Sequence, residues 1–281
     1  MSARQSLLIL VATKNRPDLL LKTLYQLSLQ LSENDLVIVS DATDKISDPR
    51  IREFFQSHSS NFQYHKNSTL GTTANRNFSL RIPVAKSFSY WCFFDDDLNI
   101  KQDYIQNVRI AISQLNNETA VTGYLNTNIP KSPDWLGFYR KPALKNGMLE
   151  MPHAVGTWIP VHDYPKFIYE SEHFYGYDEL ELRDYLLLNN IKLKFVPELL
   201  ISHPMHEFAT LKYMGKWMID KVRIQQNIKS MRRNKKSSFQ ISLFLMRTFP
   251  HALLYQLIYG LLHVFHIFFP KLKNNLENKL K

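Results

Sequence analysis

A strand–helix–strand unit near the start of the chain sets the fold class. Leu7-Leu8-Ile9-Leu10-Val11-Ala12 is apolar throughout, which predicts a fully buried strand of the kind found in parallel sheets covered on both faces. Thr13-Lys14-Asn15-Arg16-Pro17 breaks the run. Pro17 then opens a helix in which Leu20, Leu24, Leu27 and Leu31 recur at helical spacing. Asp35-Leu36-Val37-Ile38-Val39-Ser40 reads as the next strand, ending at Asp41. A unit of about 35 residues fits a right-handed parallel crossover. The alternation continues with helices expected over 51–57, 73–82 and 102–115 and strands over 62–65 and 121–125. Further strands are expected over 155–159 and 193–196, with a helix over 176–190 between them and a proline-bearing loop region over 126–152.

The aromatic run Tyr90-Trp91-Cys92-Phe93-Phe94 reads as another buried strand, and Asp95, Asp96 and Asp97 follow it directly. Three like charges behind a buried strand repel one another unless a cation or a set of donors offsets them. A hard divalent ion held by carboxylate oxygens and shared with a diphosphate is one remedy; a polar turn capping the next helix is the other reading. Ligands of open α/β sheets bind beyond the carboxyl ends of the strands. Thr13–Arg16, Asp41 and Asp95–Asp97 all fall at such ends and so converge on one crevice. The chain has no G-x-G-x-x-G and no G-x-x-x-x-G-K-S/T, which argues against the usual dinucleotide fold and against a P-loop.

Charge divides the chain in two. Residues 211–281 carry 14 Lys and Arg against Asp220 and Glu277, whereas the first 210 residues hold 21 basic and 23 acidic residues. We therefore expect a catalytic domain over 1–210 and a basic, apolar helical region over 211–281. Within the latter, 252–269 is a stretch of 18 residues without a formal charge, flanked on both sides by lysines. A span needs about 20 apolar residues, and cationic flanks stay on the cytoplasmic side. The expectation is a peripheral or monotopic attachment to the cytoplasmic face of an anionic membrane, and no nucleic-acid partner. The single cysteine, Cys92, excludes an intramolecular disulfide and suits a reducing compartment. Met1–Ser6 leads straight into the first apolar run, so no secretory leader is expected.

Five pieces in order resemble a family-2 glycosyltransferase of the GT-A fold: Val11-Ala12-Thr13-Lys14-Asn15-Arg16-Pro17 with the leucine helix ending in Gln30; Val39-Ser40-Asp41; Gly71 followed by Ala74-Asn75-Arg76-Asn77; Phe93-Phe94-Asp95-Asp96-Asp97; and Tyr175-Gly176-Tyr177-Asp178-Glu179-Leu180-Glu181-Leu182. The resemblance covers roughly residues 5–210. It implies a nucleotide-diphospho-sugar transferase type of mixed sheet flanked by helices, and an inverting, metal-dependent transfer of a hexosyl or N-acetylhexosaminyl group. The donor would be a nucleotide-sugar and the acceptor a glycan, lipid-linked if the tail docks on a membrane. By the resemblance, Thr13, Asn15, Arg16, Asp41 and Arg76 meet the nucleotide-sugar. Asp97 is the direct ligand of Mn2+ or Mg2+, Asp95 touches ribose or the metal, and Asp96 bonds the loop. Asp178 and Glu179 match an acidic pair that supplies the general base, here in reversed order, which leaves the base open between them. His203 resembles a further metal or phosphate ligand; His206 is the weaker candidate. Trp135 and Trp158 could stack on a sugar or pack in the core. Two other readings of the same residues are a nucleotidyltransferase and a catalytically inactive, membrane-bound glycan- or nucleotide-binding scaffold.

Overall fold

The alternating faces of the apolar strands build two cores, one on each side of a sheet. In a computed structural model of the chain, β1 (Leu7–Thr13) sends Leu7, Ile9 and Val11 to one core and Leu8 and Leu10 to the other. β2 (Leu36–Asp41) and β4 (Tyr90–Asp95) alternate in the same way, with Cys92 and Phe94 on one face and Trp91 and Phe93 on the other. Period-2 alternation of apolar residues on both faces is what a doubly covered sheet requires. The structure describes residues 5–43, 48–69, 71–85, 87–116, 118–133, 139–140, 144–161, 167–169, 178–204 and 221–248. The expected membrane-docking stretch 252–269, Trp135 and His206 lie outside them.

The strand order of the main sheet is β3-β2-β1-β4-β9. β1, β2, β4 and β3 (Phe62–Lys66) are parallel, and β9 (Ile159–Pro160) joins β4 antiparallel. α1 (Pro17–Ser28), with Pro17 in its first turn, covers one face through Leu20, Leu21, Leu24 and Leu27. α2 (Pro49–Ser57) packs beside it through Ile51 and Phe54, and Asp48 caps it by accepting from Arg50 N at 2.9 Å. α3 (Thr72–Leu80) lies on the opposite core. α4 (Tyr104–Ser113) returns to the first.

A second, three-stranded sheet runs β5-β10-β6. β10 (Lys192–Ser202) is parallel to β6 (Thr119–Leu125) and antiparallel to β5 (Asn99–Ile100). Mutual backbone bonds between Val121 and Trp158, of 2.9 and 2.8 Å, tie this sheet to the first. α5 (Asp178–Leu188) precedes β10 and packs Leu182 and Leu186 into the second core. The pair β7 (Ser132–Pro133) and β8 (Tyr139–Arg140) stands apart.

Two expectations differ from what forms. The strand read over 155–159 is reduced to the two residues of β9, because Gly156 takes φ +72° and turns its N–H to Phe93 O at 3.0 Å. The strand read over 193–196 instead continues to Ser202. Pro197 and Glu198, which mimic a break in sequence, fall in a register shift between Phe195 and Leu200.

The chain divides into two compact units, residues 1–133 with 139–204, and 134–138 with 205–281. Of the second, α6 (Lys221–Arg233) and helical residues 238–248 are described. Residues 221–248 carry eight Lys and Arg and no acidic residue. Phe239 and Met246 are exposed, while Phe244 is buried. Among the described residues no helix is long and apolar enough to cross a membrane.

Candidate active site

Register alone gathers the first polar residues. Thr13 at the end of β1 is the partner of Asp41 at the end of β2, and Ala12 is the partner of Asp95 at the end of β4. Three neighbouring parallel strands therefore expose their carboxyl ends together, where an open sheet binds its ligand.

The three aspartates separate into two roles. Asp96 is fully buried and points back into the protein, where the Thr13 hydroxyl donates to its Oδ2 at 2.5 Å. Burial pushes its pKa up to about 7, against the pull of Arg16 and of the Thr13 hydrogen bond. The Thr23 hydroxyl on α1 bonds Asp96 O and Leu98 O at 2.9 and 3.2 Å, fixing the turn. Asp95 and Asp97 face the other way. His203, just past β10, brings its Nε2 to 3.4 Å from Asp95 Oδ2 and 3.1 Å from Asp97 Oδ1. Its backbone N–H donates to Asn126 Oδ1 at 2.6 Å, and Asn126 Nδ2 donates back to His203 O at 2.6 Å. Asn126, in a left-handed conformation with φ 52°, is thus the residue that pins the histidine.

One ligand atom from each of Asp95, Asp97 and His203 lies within 4.8 Å of the other two. Two carboxylate oxygens and an imidazole nitrogen on converging strand ends suit a divalent ion such as Mn2+ or Mg2+. Hydrogen bonds to Asp95 and Asp97 push the His203 pKa up to about 10, against its partial burial. Burial raises Asp95, but Arg76 and His203 outweigh it and hold the carboxyl well below the usual range. Asp97 is likewise lowered, chiefly by His203 working against burial. Arg16 Nη1 approaches Asp97 Oδ2 at 2.9 Å and Asp96 Oδ1 at 3.4 Å, from a half-exposed side chain.

Helix α3 supplies a buried polar clasp that sequence reading noted only in part. Asn75 donates to Thr13 O and Ser40 O at 3.0 and 3.1 Å, locking the ends of β1 and β2. Asn77 Nδ2 donates to Tyr169 O at 2.8 Å and its Oδ1 accepts from Tyr169 N at 2.8 Å. Between them Arg76, buried, donates from Nη2 to Asp95 Oδ1 at 2.8 Å and from Nη1 to Asp178 Oδ2. Asp178, the first residue of α5, is buried, and Glu179 beside it is half-buried. Burial and the neighbouring Asp178 charge raise the Glu179 pKa.

Asp41 is also buried, and its carboxylate accepts from Tyr64 OH at 2.5 Å and Thr43 N at 2.8 Å. Asn15 takes φ 57° and donates its N–H to Thr43 Oγ1 at 2.9 Å. Trp158 is a core residue, donating from Nε1 to Tyr104 OH at 3.1 Å.

With this geometry in place, comparison with known proteins gives a family. The model for glycosyl transferase family 2 matches residues 8–165. The chain belongs to that family. Its fold is that of the GT-A enzymes. A crystal structure of GalNAc-T7 with UDP, GalNAc and Mn2+ superposes with a TM-score of 0.59 at 10% identity, over 88% of this chain and 55% of that one. The mannosyltransferase PcManGT from Pyrobaculum calidifontis, in complex with GDP-Man and Mn2+, gives 0.59 at 12% identity, over 92% and 76%. This family-2 chain thus spans little more than half the length of GalNAc-T7. No curated protein sequence matches it.

Proposed function

We propose that the protein is a metal-dependent, inverting glycosyltransferase that moves a hexosyl or N-acetylhexosaminyl group from a nucleoside-diphosphate sugar to a saccharide acceptor. The observation that carries this reading is the trio Asp95, Asp97 and His203, gathered on converging strand ends beside Arg16 and Asp41. Asp95, Asp97 and His203 would hold Mn2+ or Mg2+, which would supply positive charge to offset that of the departing diphosphate. Asp41 and Asn15 line the nucleotide end, with Asp41 held by Tyr64 and Thr43. Arg16, half-exposed and paired with Asp97 at 2.9 Å, would exchange that contact for the diphosphate. Thr13 acts through Asp96 rather than on the donor, since its hydroxyl is committed to that carboxylate.

Glu179 is the general base in this reading. Asp178 is committed to Arg76, whereas Glu179 has the raised pKa that favours taking a proton from an acceptor hydroxyl near neutrality. The basic helices over 221–248, with exposed Phe239 and Met246, support a peripheral position on an anionic membrane at the cytoplasmic face and hence a lipid-linked acceptor.

Full-length protein incubated with Mn2+ and a panel of nucleotide-sugars should release nucleoside diphosphate by transfer or slow hydrolysis, and Asp97→Ala should abolish it. Release of pyrophosphate from a nucleoside triphosphate instead would identify a nucleotidyltransferase. Nucleotide binding without turnover would identify a scaffold.

A further inference from the structure

We infer that Arg76 is a positioning residue that joins the metal side of the site to its acceptor side, holding one carboxylate of each on a single guanidinium. The inference rests on the glycosyltransferase reading. Arg76 is 2% exposed, and its Nη2 and Nη1 reach Asp95 and Asp178, residues 19 and 102 positions away in sequence. The guanidinium carbon also lies 5.3 Å from the centroid of Phe93, so a ring fixes its plane from below. Asn75 and Asn77 bolt the same turn of α3 to β1, β2 and Tyr169, so Arg76 is presented from a helix that cannot easily rotate. Asp178 opens α5, and the next residue is the proposed base, Glu179. The distance from base to metal is then set by one side chain rather than by two independent loops.

One buried carboxylate, Asp178, and one partly exposed carboxylate, Asp95, share one cation, and this gives the arrangement a distinctive sign. Arg76 competes with the metal for Asp95 while it anchors Asp178. Removing it leaves more negative charge beside the trio, which favours a bound cation, yet releases the start of α5. Removing Asp178 instead gives Asp95 the whole of the guanidinium, which disfavours a bound cation. A residue that mattered only for folding would weaken metal binding and turnover together.

The test uses the full chain, with Mn2+ binding followed by the paramagnetic signal of the free ion in the absence of any donor. Arg76→Gln should bind Mn2+ about three- to tenfold more tightly, while kcat falls about 100-fold with little change in donor KM. Arg76→Lys should recover only part of kcat, because one ammonium does not reproduce a planar fork spanning two carboxylates. Asp178→Asn, which keeps the Arg76–Asp95 pair, should weaken Mn2+ binding about two- to fivefold; this holds the inference to account if Arg76→Gln fails to fold. Unchanged Mn2+ affinity in folded Asp178→Asn, or weaker affinity in folded Arg76→Gln, overturns it. Shifts of the stated signs without transfer from any donor leave the clasp standing and remove the glycosyltransferase reading. A wild-type chain that does not bind Mn2+ overturns both.

Discussion

Gly123 on β6 faces the irregular part of β10, and an added methyl there tests whether that irregularity builds the site. A Cβ at Gly123 would lie 1.7 Å from Leu199 O and 2.5 Å from Leu199 Cβ. The first contact is roughly half an ordinary van der Waals separation, and the atom met is backbone, so no rotamer change relieves it. Leu199 is also buried in the main core, which blocks the outward escape. Gly123→Ala must therefore push β10 away where its register shifts between Phe195 and Leu200. Overpacking costs about 1–3 kcal/mol and more when backbone must move; we take about 3 kcal/mol. For a domain of this size that lowers Tm by about 6–12 °C. Downstream of the shift, Asn126 and His203 exchange their two hydrogen bonds, so a displaced β10 also moves the imidazole. Loss of such outer support weakens metal binding about 10-fold or more. Differential scanning fluorimetry and Mn2+ titration of the full chain read both effects. A Tm within 2 °C of wild type (about 0.5–1 kcal/mol) together with unchanged Mn2+ affinity refutes the claim that the close approach of β6 and β10 places His203.

Four further outcomes follow from the same geometry. In the metal-free protein His203 keeps a proton up to about pH 10, so metal loading at neutral pH must release it; calorimetry in two buffers of different ionisation heat should detect the proton, and none released would count against His203 as a ligand. Because the folded pKa is raised, the pairing stabilises the metal-free protein fully below pH 6.5 and is lost as pH rises toward 10, which urea unfolding across that window measures. Glu179→Gln should lower kcat about 10²–10⁴-fold with Mn2+ affinity unchanged, and wild-type turnover should fall as acidification protonates Glu179; a fully active variant would return the base to Asp178. Asp35→Ala removes a fully buried carboxylate that accepts from Leu7 N at 3.0 Å, Ser32 N at 2.6 Å and Arg109; stranding the two backbone donors, with Arg109 keeping only Gln5 O and Ser32 Oγ, should cost about 2–4 kcal/mol, read by chemical denaturation.

The strand-end chemistry was legible in sequence because the apolar runs of β1, β2 and β4 state where they stop. Thr13, Asp41 and Asp95 are then aligned by parallel pairing alone. Local spacing could not tell which way each aspartate turns: Asp96 faces Thr13 and the core, whereas Asp95 and Asp97 face His203. Nor could it read the length of β10, since Pro197 and Glu198 look like a terminus and are in fact the irregularity that lets the strand go on. The asparagines of α3 carried a signal of another kind. Asn75 and Asn77 are poor helix formers on either side of Arg76, and their cost to the helix makes sense only once their partners on β1, β2 and Tyr169 are seen.

The position of His203 also orders events as the chain leaves the ribosome. Asp95 and Asp97 are made early, and the sheet that displays them is complete in its parallel part by residue 95. Their third companion arrives more than a hundred residues later, and only after β10 has inserted between β5 and β6. Closing so long a loop is a slow, non-local step. If Asp95, Asp97 and His203 hold an ion as proposed, it can settle only when that step is done, so firm metal retention by a nascent chain would report that β10 has paired.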